Sequence, residues 1–297
     1  MRVATPLARR RKRGRTIAVV AGVWLFVLPT GCSFLADLDF ATGDATPGIR
    51  PEAGDGSSSA DARSNKDSAA GSDPYSSAVR ADQPSAYWRF GESSGTTAND
   101  EMGAYPGVYE RGFSLRAEGA IASNTAVRLD GEIGSRILIG DVFDFSSDSP
   151  STLEAWVKWD GTGSAYIFSK RGDQTNGNNG YELYASSNSS GQVQWTYSRT
   201  TRGQPTLLFH DAQPSNEFVH VVATFDGAMG RLYLNGEEVS NLAFSNSVVG
   251  SGAVLALGNN AAGDGDSFQG TLDELAIYER VLSPDRIRAH YRASISK

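Results

Sequence analysis

Hydrophobic and polar positions divide the chain into three parts. Residues 17–28 form an uncharged apolar run, residues 41–73 contain almost no apolar side chain, and apolar residues return after Tyr75. In that last part, apolar and polar positions alternate with a period of two, which is typical of β-strands with one buried face. We therefore expect one folded domain at residues 75–297, preceded by an export segment at 1–31 and a connecting segment at 32–74.

The alternating part predicts many short strands and little helix. The dipeptide Asn235-Gly236, flanked by alternating segments, predicts a hairpin with a type I′ turn. Ser283-Pro284-Asp285 predicts the start of one short C-terminal helix, because serine caps helices and proline favours their first position. Strands are expected at residues 152–159, 181–185, 192–197, 218–225, 231–239 and 271–278. Short strands at this spacing indicate an all-β sandwich or barrel.

The N-terminal run has the features of an export signal. Seven basic residues and no acidic residue lie in residues 1–31, and the apolar stretch is shorter than the about 20 residues that span a bilayer. Residues 28–32 resemble a bacterial lipobox, in which small residues precede a cysteine that is diacylated and becomes the N-terminus; Pro29 departs from that pattern. The resemblance implies lipidation at Cys32, and Ser33 resembles the residue that permits transit to an outer membrane. The alternatives are a signal cleaved elsewhere and an uncleaved anchor.

Residues 32–74 consist mainly of Gly, Ala, Ser, Asp and Pro. Such a composition buries too little apolar surface to offset the entropy of ordering, so we expect a disordered tether behind the lipidated end. The alternative is a segment that folds on a partner. The chain is thus expected to be an exported cell-envelope lipoprotein, at the outer membrane or cell surface, that contacts a membrane through its lipid anchor only.

The net charge limits the classes of binding partner, and the cysteine content limits how the folded domain is stabilised. Without residues 1–31 the chain carries 20 basic and 34 acidic residues, a net charge of −14. This acidic balance argues against nucleic acid as a partner and is compatible with calcium or neutral glycans. Cys32 is the only cysteine, so the folded domain has no disulfide and depends on a packed core.

Several segments resemble bacterial laminin-G-like (LamG) domains of the concanavalin A-like lectin/glucanase superfamily. They are residues 86–97 with Asp100 and Gly103, residues 154–158, 218–227, 232–236 and 268–278, and then Leu282 to Ile287, in the family's order. The resemblance extends from about Val79 to Tyr291. It implies a two-sheet antiparallel jelly roll, usually with a calcium ion, that serves in adhesion and in glycan or protein binding.

The resemblance also places the opening loop beside the closing strand, which brings Asp100 towards Asp273. Calcium takes six to eight oxygen ligands, so backbone carbonyls near Met102 and Gly103 are expected to complete a structural calcium site. The alternative is that Asp100 caps a turn and Asp273 accepts hydrogen bonds from the neighbouring loop.

A glycan site needs aromatic faces for stacking and planar polar groups for hydroxyls. Tyr184, Trp195 and Arg171 are the candidates, with Tyr166 as a further aromatic residue, and two polar loops at residues 172–180 and 259–266 are candidates to line the site. The alternative is that the aromatic residues belong to the core, as they more often do in alternating strands.

The sequence favours a protein without catalytic activity. Retaining and inverting glycosidases use two facing carboxylates, and no predicted strand has acidic residues at alternate positions. Asp273 and Glu274 are adjacent, so they are expected to point to opposite faces, and His220 is expected to be structural. There is no Gly-x-Ser-x-Gly motif and no phosphate-binding loop. The competing hypotheses are a structural lipoprotein that docks on an envelope or extracellular protein, and a divergent glycoside hydrolase dependent on Glu154.

Overall fold

The computed structural model describes residues 73–146, 148–172, 178–214, 216–244 and 250–296. The predicted export segment, Cys32 and the tether lie outside these residues. The described chain runs through the following elements: α1 (Pro74–Ala81), β1 (Ala86–Trp88), β2 (Thr97–Ala98), β3 (Gly107–Tyr109), β4 (Phe113–Glu118), β5 (Thr125–Asp130), β6 (Ile137–Gly140), β7 (Ser151–Trp159), β8 (Ser164–Arg171), β9 (Gly180–Ser187), β10 (Val193–Thr201), β11 (Gln204–Ala212), β12 (Val219–Phe225), β13 (Met229–Leu234), β14 (Glu237–Ala243), β15 (Leu255–Leu257), β16 (Gln269–Tyr278) and α2 (Pro284–Ile295).

The strands form two antiparallel sheets of eight strands each. The first sheet has the order β14-β13-β12-β7-β16-β5-β4, with β1 also paired to β16. The second sheet has the order β11-β10-β9-β8-β15-β6-β3-β2. At the centre of each sheet, neighbouring strands such as β7 and β16, or β8 and β15, are distant in sequence, as in a jelly roll. The predicted all-β, two-sheet antiparallel sandwich is confirmed.

The main hydrophobic core lies between the sheets and follows the period of two. Leu153, Ala155 and Val157 of β7 are buried on the inner face, and β16 and β12 contribute neighbours such as Leu272 and Val221. The second sheet contributes Phe168, Leu183, Trp195, Tyr197 and Leu257. Burying an apolar side chain of this size is worth about 1.5–3 kcal/mol, so this layer holds the sandwich together without a disulfide.

Two helices cover the outer face of the first sheet. Tyr75 and Val79 of α1 and Ile287 of α2 are fully buried against outward-facing residues of that sheet, including Trp156 and Val222, in a second apolar cluster. The part of the outer face that lies beneath the two helices is therefore an interior surface.

The helix α2 begins as predicted, because the Ser283 side chain accepts a hydrogen bond from the Arg286 N–H and Pro284 occupies the first turn. The helix α1 was not predicted, although Asp73 caps it by accepting from the Ser76 N–H and Pro74 again begins it. The described fold thus has two short helices instead of the single expected one.

Candidate functional site

The outer face of the second sheet presents polar and aromatic side chains where its strands β8 and β9 pair. Tyr166 is directly opposite Tyr184 in the register, and their rings meet edge to face with centroids 6.0 Å apart. A β-bulge between Tyr166 and Phe168 shifts the register, which puts Arg171 on the same outer face near the end of β8. Both tyrosines are partly exposed.

A cleft of about 560 Å³ lies beside these residues, and we call it the loop cleft. Gly172 and Asn178, the described residues of the first polar loop that line it, and Asn260 and Asp264 of the second loop contribute to this cleft together with Tyr166. The loop at 259–266 is held by its own side chains: Asn260 Nδ2 donates to Asp264 Oδ1 (3.0 Å), and Asn260 Oδ1 accepts from the Gly263 N–H (2.7 Å). The cleft is lined by Tyr166, Arg171, Gly172, Asn178, Glu182, Ala253, Asn260, Ala261, Ala262 and Asp264.

Among the described residues that line the loop cleft, the charged groups are an arginine and two carboxylates. Arg171 Nη1 lies 3.3 Å from Glu182 Oε2. Burial raises the pKa of the Glu182 carboxyl, and the positive charge of Arg171 opposes that rise. Burial likewise raises the pKa of the Tyr166 and Tyr184 hydroxyls, so both stay protonated donors at neutral pH. The cleft therefore offers hydrogen-bond donors and acceptors around one aromatic face.

The structure separates the three predicted ligand-binding residues. Arg171 lines the loop cleft. Tyr184 does not line it but contacts the ring of Tyr166, which does. Trp195 is opposite Ala185 in the register and lies on the inner face, 3% exposed and within the main core. Glu182 was missed by the sequence analysis, although its spacing from Tyr184 by two positions in a strand places both on one face.

Trp195 also borders a larger cavity of about 890 Å³ at one end of the sandwich. The terminal residues of five strands line it: Trp159, Val193, Ala212, Val219 and Leu234. Trp159 and Val193 pack against the main core. This cavity at the end of the sandwich is more apolar than the loop cleft.

The carboxylate of Asp100, a predicted calcium ligand, is already occupied by N–H donors. Its Oδ1 accepts from the backbone N–H groups of Tyr87 (2.8 Å) and Met102 (3.0 Å), and its Oδ2 accepts from those of Ala104 (3.0 Å) and Tyr105 (2.9 Å). Four N–H dipoles pointing at a carboxylate create the opposite environment from the oxygen shell of calcium. This donor set does not fit a cation at Asp100 and matches the alternative of a turn cap.

Asp273 and Gly103 complete the predicted metal set. Asp273 is fully buried, and its Oδ2 accepts from the Ala120 N–H at 2.8 Å. Burial and the neighbouring Glu274 charge raise the pKa of the Asp273 carboxyl well above its usual range. The Gly103 N–H donates to the Asp100 carbonyl in the turn that this loop makes. Calcium at these residues stays a prediction.

One expectation about these carboxylates is wrong. Asp273 and Glu274 do not point to opposite faces, because Asn124 Nδ2 lies 3.2 Å from Asp273 Oδ1 and 3.1 Å from Glu274 Oε1. A register shift between Asp273 and Ala276, with Glu274 at φ 52°, breaks the alternation. Arg89 Nη2 binds both Glu274 Oε1 (2.8 Å) and Asp73 Oδ2 (2.6 Å). The carboxylates of Asp273 and Glu274 are fully buried. This cluster of buried polar side chains therefore stabilises the fold.

A second buried polar group surrounds Glu154, which is fully inaccessible to solvent. Its carboxylate accepts hydrogen bonds from the Tyr75 and Tyr278 hydroxyls, both at 3.0 Å, and lies 2.8 Å from His220 Nε2 and 3.0 Å from His290 Nδ1. These partners come from both helices and from two strands. The expected structural role of His220 agrees with this position.

The His290 ring bridges Glu154 to the loop after α1. Its Nδ1 faces Glu154, and its Nε2 lies 2.8 Å from Asp82 Oδ2. Because an ionised carboxylate only accepts hydrogen bonds, this geometry favours a donor at each ring nitrogen, which is the imidazolium form. The nearby carboxylates accordingly raise the pKa of His290 against the opposing effect of burial, and the two histidines hold the pKa of Glu154 well below its usual range despite burial.

The part of the chain that the structure describes contains neither a cluster of metal-binding side chains nor a membrane-spanning helix. No group of three or more His, Cys, Asp and Glu side chains there is arranged to hold a metal ion. None of the helices in the described ranges is both long and apolar enough to cross a membrane.

The fold and the loop cleft define a two-sheet jelly-roll sandwich with a polar, partly aromatic site on one outer face. The family model of the concanavalin A-like lectin/glucanase superfamily matches residues 130–288, more than half of the chain. The chain belongs to this superfamily. No curated protein sequence matches it.

Solved structures with a similar fold include the binding domains of botulinum neurotoxins. The serotype D ligand-binding domain in complex with N-acetylneuraminic acid is 16% identical, with a TM-score of 0.56, and the match covers 73% of this chain and 53% of that domain. The type G receptor-binding domain is 11% identical, with a TM-score of 0.54 and coverage of 70% and 51%. The chain spans about half the length of these domains, and at this identity the likeness concerns the fold alone.

Proposed function

We propose that this chain is a carbohydrate-recognition protein that binds neutral glycans at the loop cleft. The observation that carries the proposal is the convergence of Arg171, Glu182, Asn260 and Asp264 around the face of Tyr166 in a cleft of about 560 Å³. Binding clefts of this volume are usual for small ligands, and a few polar groups beside an aromatic face suit a sugar ring. The superfamily and a structural neighbour crystallised with N-acetylneuraminic acid support a glycan ligand.

The charges of the cleft favour a neutral sugar. Glu182 and Asp264 contribute two carboxylates against the single cation of Arg171. An acidic glycan brings a further negative charge into a chain whose residues 32–297 already carry a net charge of −14. Neutral glycans meet no such repulsion.

We infer that recognition occurs without catalysis. Glu182 is buried and paired with Arg171, and Asp264 is bonded to Asn260, so both cleft carboxylates have partners in the fold. Glu154, the residue on which a hydrolase hypothesis depended, is enclosed between the first sheet and the helices. Incubation with the bound glycan should leave its chain length unchanged, and turnover that disappears in a Glu182→Gln variant would contradict this inference.

A glycan array on the full chain, purified in detergent, tests the proposed ligand class. We expect neutral glycans to bind and sialylated glycans not to bind. Arg171→Gln and Tyr166→Ala should each weaken binding about tenfold, because each removes one oriented contact. Arg231→Gln, which alters an arginine of the first sheet paired with Asp226, is the matched control and should bind normally.

A chain that binds no glycan, or whose binding is unchanged by both cleft variants, would refute the proposal. Recovery of one stable envelope protein in place of a glycan would then favour the structural-lipoprotein alternative.

We further propose that a lipid on Cys32 holds the protein at the cell envelope, on the basis of the export segment and the lipobox-like residues 28–32. Two or more acyl chains are needed for stable membrane attachment, and a lipoprotein cysteine carries them. Radiolabelled palmitate should enter the wild-type protein and not Cys32→Ser, which should leave the membrane fraction. Equal labelling of both proteins would reject the anchor.

A further inference from the structure

An aromatic row continues from the loop cleft across the outer face of the second sheet. In the strand register, Tyr166 of β8 is opposite Tyr184 of β9, Tyr184 is opposite Thr196 of β10, and Thr196 is opposite Phe209 of β11. Residues directly opposite each other in antiparallel strands have side chains on the same face. Tyr166, Tyr184 and Phe209 thus form one line perpendicular to four strands, and we call it the aromatic row.

The far end of this row is exposed without a covering element among the described residues. Phe209 is 49% exposed, and Leu207, two positions earlier and on the same face, is 41% exposed. Between them and the tyrosines, Thr196 is buried at 1% exposure. Neighbouring strands lie about 4.8 Å apart, so the row covers about 14 Å from the loop cleft to the edge strand.

Polar side chains flank the aromatic row on both sides. Gln194 and Asp211 are two register pairs away and therefore on the same face, with Gln194 Nε2 donating to Asp211 Oδ1 at 2.9 Å. On the other side, Glu182 is opposite Ser198. On that side the exposed apolar Leu207 is opposite Ser198, so the accessible polar groups of the far end lie at Gln194 and Asp211. Aromatic faces with polar groups beside them match a polymer that is apolar on its ring faces and polar at its ring edges.

We propose that the glycan bound at the loop cleft is an extended chain that runs along the aromatic row from Tyr166 to Phe209. This inference rests on the proposed carbohydrate binding and adds the ligand class: an internal stretch of several sugars in a polysaccharide, instead of a single terminal sugar. A single sugar at the loop cleft does not reach Phe209, about 14 Å away across the strands. Only a longer chain also reaches Phe209.

Chain-length dependence of the affinity tests the inference. Titration calorimetry on the full chain would use cello-, laminari- and chito-oligosaccharides, each from a single sugar to a hexasaccharide. For the series that binds, we expect the affinity to rise with each added sugar until the row is filled. Phe209→Ala should reduce the affinity for the hexasaccharide about tenfold and leave the affinity for the shortest ligand unchanged.

Controls separate a ligand contact from a structural effect. Phe209→Tyr keeps an aromatic face and should retain the affinity for long chains. Leu242→Ala changes a comparably exposed residue (39%) on β14, the edge strand of the first sheet, and should bind as the wild type does. Since Phe209 is half exposed, the melting temperature of Phe209→Ala should stay close to that of the wild type.

The outcomes distinguish the two proposals. If a single sugar binds as tightly as the hexasaccharide, or if Phe209→Ala leaves the hexasaccharide affinity unchanged, the extended-chain inference is wrong and carbohydrate binding at the loop cleft still stands. If Arg171→Gln weakens binding of all lengths while Phe209→Ala affects long chains only, both proposals are supported. Absence of binding in every series, including the array, overturns both.

Discussion

Replacement of Glu154 by glutamine removes the charge that joins the helices to the first sheet. The carboxylate accepts hydrogen bonds from Tyr75 of α1 and Tyr278 of β16, and it lies within 3.0 Å of His220 of β12 and His290 of α2. Glutamine has nearly the same shape but is uncharged, and its N–H₂ group faces donors. The variant therefore removes one of the two carboxylates that face His290 in a fully buried position and leaves Asp82 as the remaining one.

The expected destabilisation is large for a single substitution. Breaking a buried ion pair by removing one partner costs about 3–5 kcal/mol of the free energy of unfolding. A domain of this size loses about 2–4 °C in melting temperature per kcal/mol, so the midpoint should fall by about 6–20 °C. Circular dichroism melts and urea titrations followed by tryptophan fluorescence measure both quantities. Glu237→Gln, which alters an exposed carboxylate paired with Arg288, is the control and should leave the midpoint unchanged.

The pH dependence of unfolding gives an independent signature of this ion pair. The lowered pKa of Glu154 adds stability above its ordinary value of 4.5, which is lost as the pH falls through the lowered pKa. The raised pKa of His290 adds stability below its ordinary value of 6.5, which is lost as the pH rises through the raised pKa. The pair therefore stabilises most between these two ordinary values.

In Glu154→Gln, the free energy of unfolding should depend less on pH on both sides of that window than in the wild type. A melting temperature within two or three degrees of the wild type, or an unchanged loss of stability above the ordinary pKa of His290, would show that Glu154 and His290 do not form the ion pair described here.

Three further outcomes are expected. Asp100→Ala should lower the free energy of unfolding by about 3 kcal/mol in calcium and in chelator alike, since it orphans backbone N–H groups; a calcium-dependent rise in melting temperature that the variant loses would instead support the metal site. Gly180→Ala should destabilise the protein and weaken glycan binding, because at φ 139° its Cβ would lie 2.0 Å from the Lys170 carbonyl oxygen beside the loop cleft, and a normal melting curve would contradict that geometry. Trp195→Phe should lower the melting temperature without changing glycan affinity; a large affinity loss at unchanged stability would return Trp195 to the ligand site.

Local sequence signals predicted the elements whose geometry is set locally. The alternation in residues 152–159 identified β7 and its buried face. Asn235 and Gly236 both have positive φ angles, 50° and 84°, as a type I′ turn requires. The start of α2 followed from a serine cap and a proline in the first turn. In each case the physical cause of the strand, turn or helix start lies in a few neighbouring residues of the sequence.

The features that were missed depend on irregular or distant contacts. The helix α1 has only Tyr75 and Val79 as large apolar residues, and both are buried by residues far away in the sequence. Asp273 and Glu274 meet at Asn124 because a bulge breaks the period of two, and no residue type marks that bulge. Contacts between residues that are far apart in the sequence leave no periodic pattern from which they could be predicted.

The same limit applied to the candidate site. The sequence indicated the residue types and the two polar loops of the loop cleft, since both are local properties. It did not indicate that Tyr166, Tyr184 and Phe209 share one row, because that follows from the registers of three strand pairs. Nor did it separate Tyr184 from Trp195, which lie on opposite faces because Thr196, not Trp195, is opposite Tyr184.

The two outer faces of the sandwich differ in how far the described residues leave them accessible to solvent. The described chain enters through Asp73 and α1, which pack on the first sheet together with α2, and the buried groups around Glu154 and Arg89 fix both helices there. The side chains of that face beneath the helices are buried, and their contacts stabilise the fold. Across the described residues of the second sheet no helix covers the outer face, so Tyr166, Arg171 and Phe209 stay accessible there. The candidate ligand site therefore lies on the sheet opposite the one against which α1 and α2 pack.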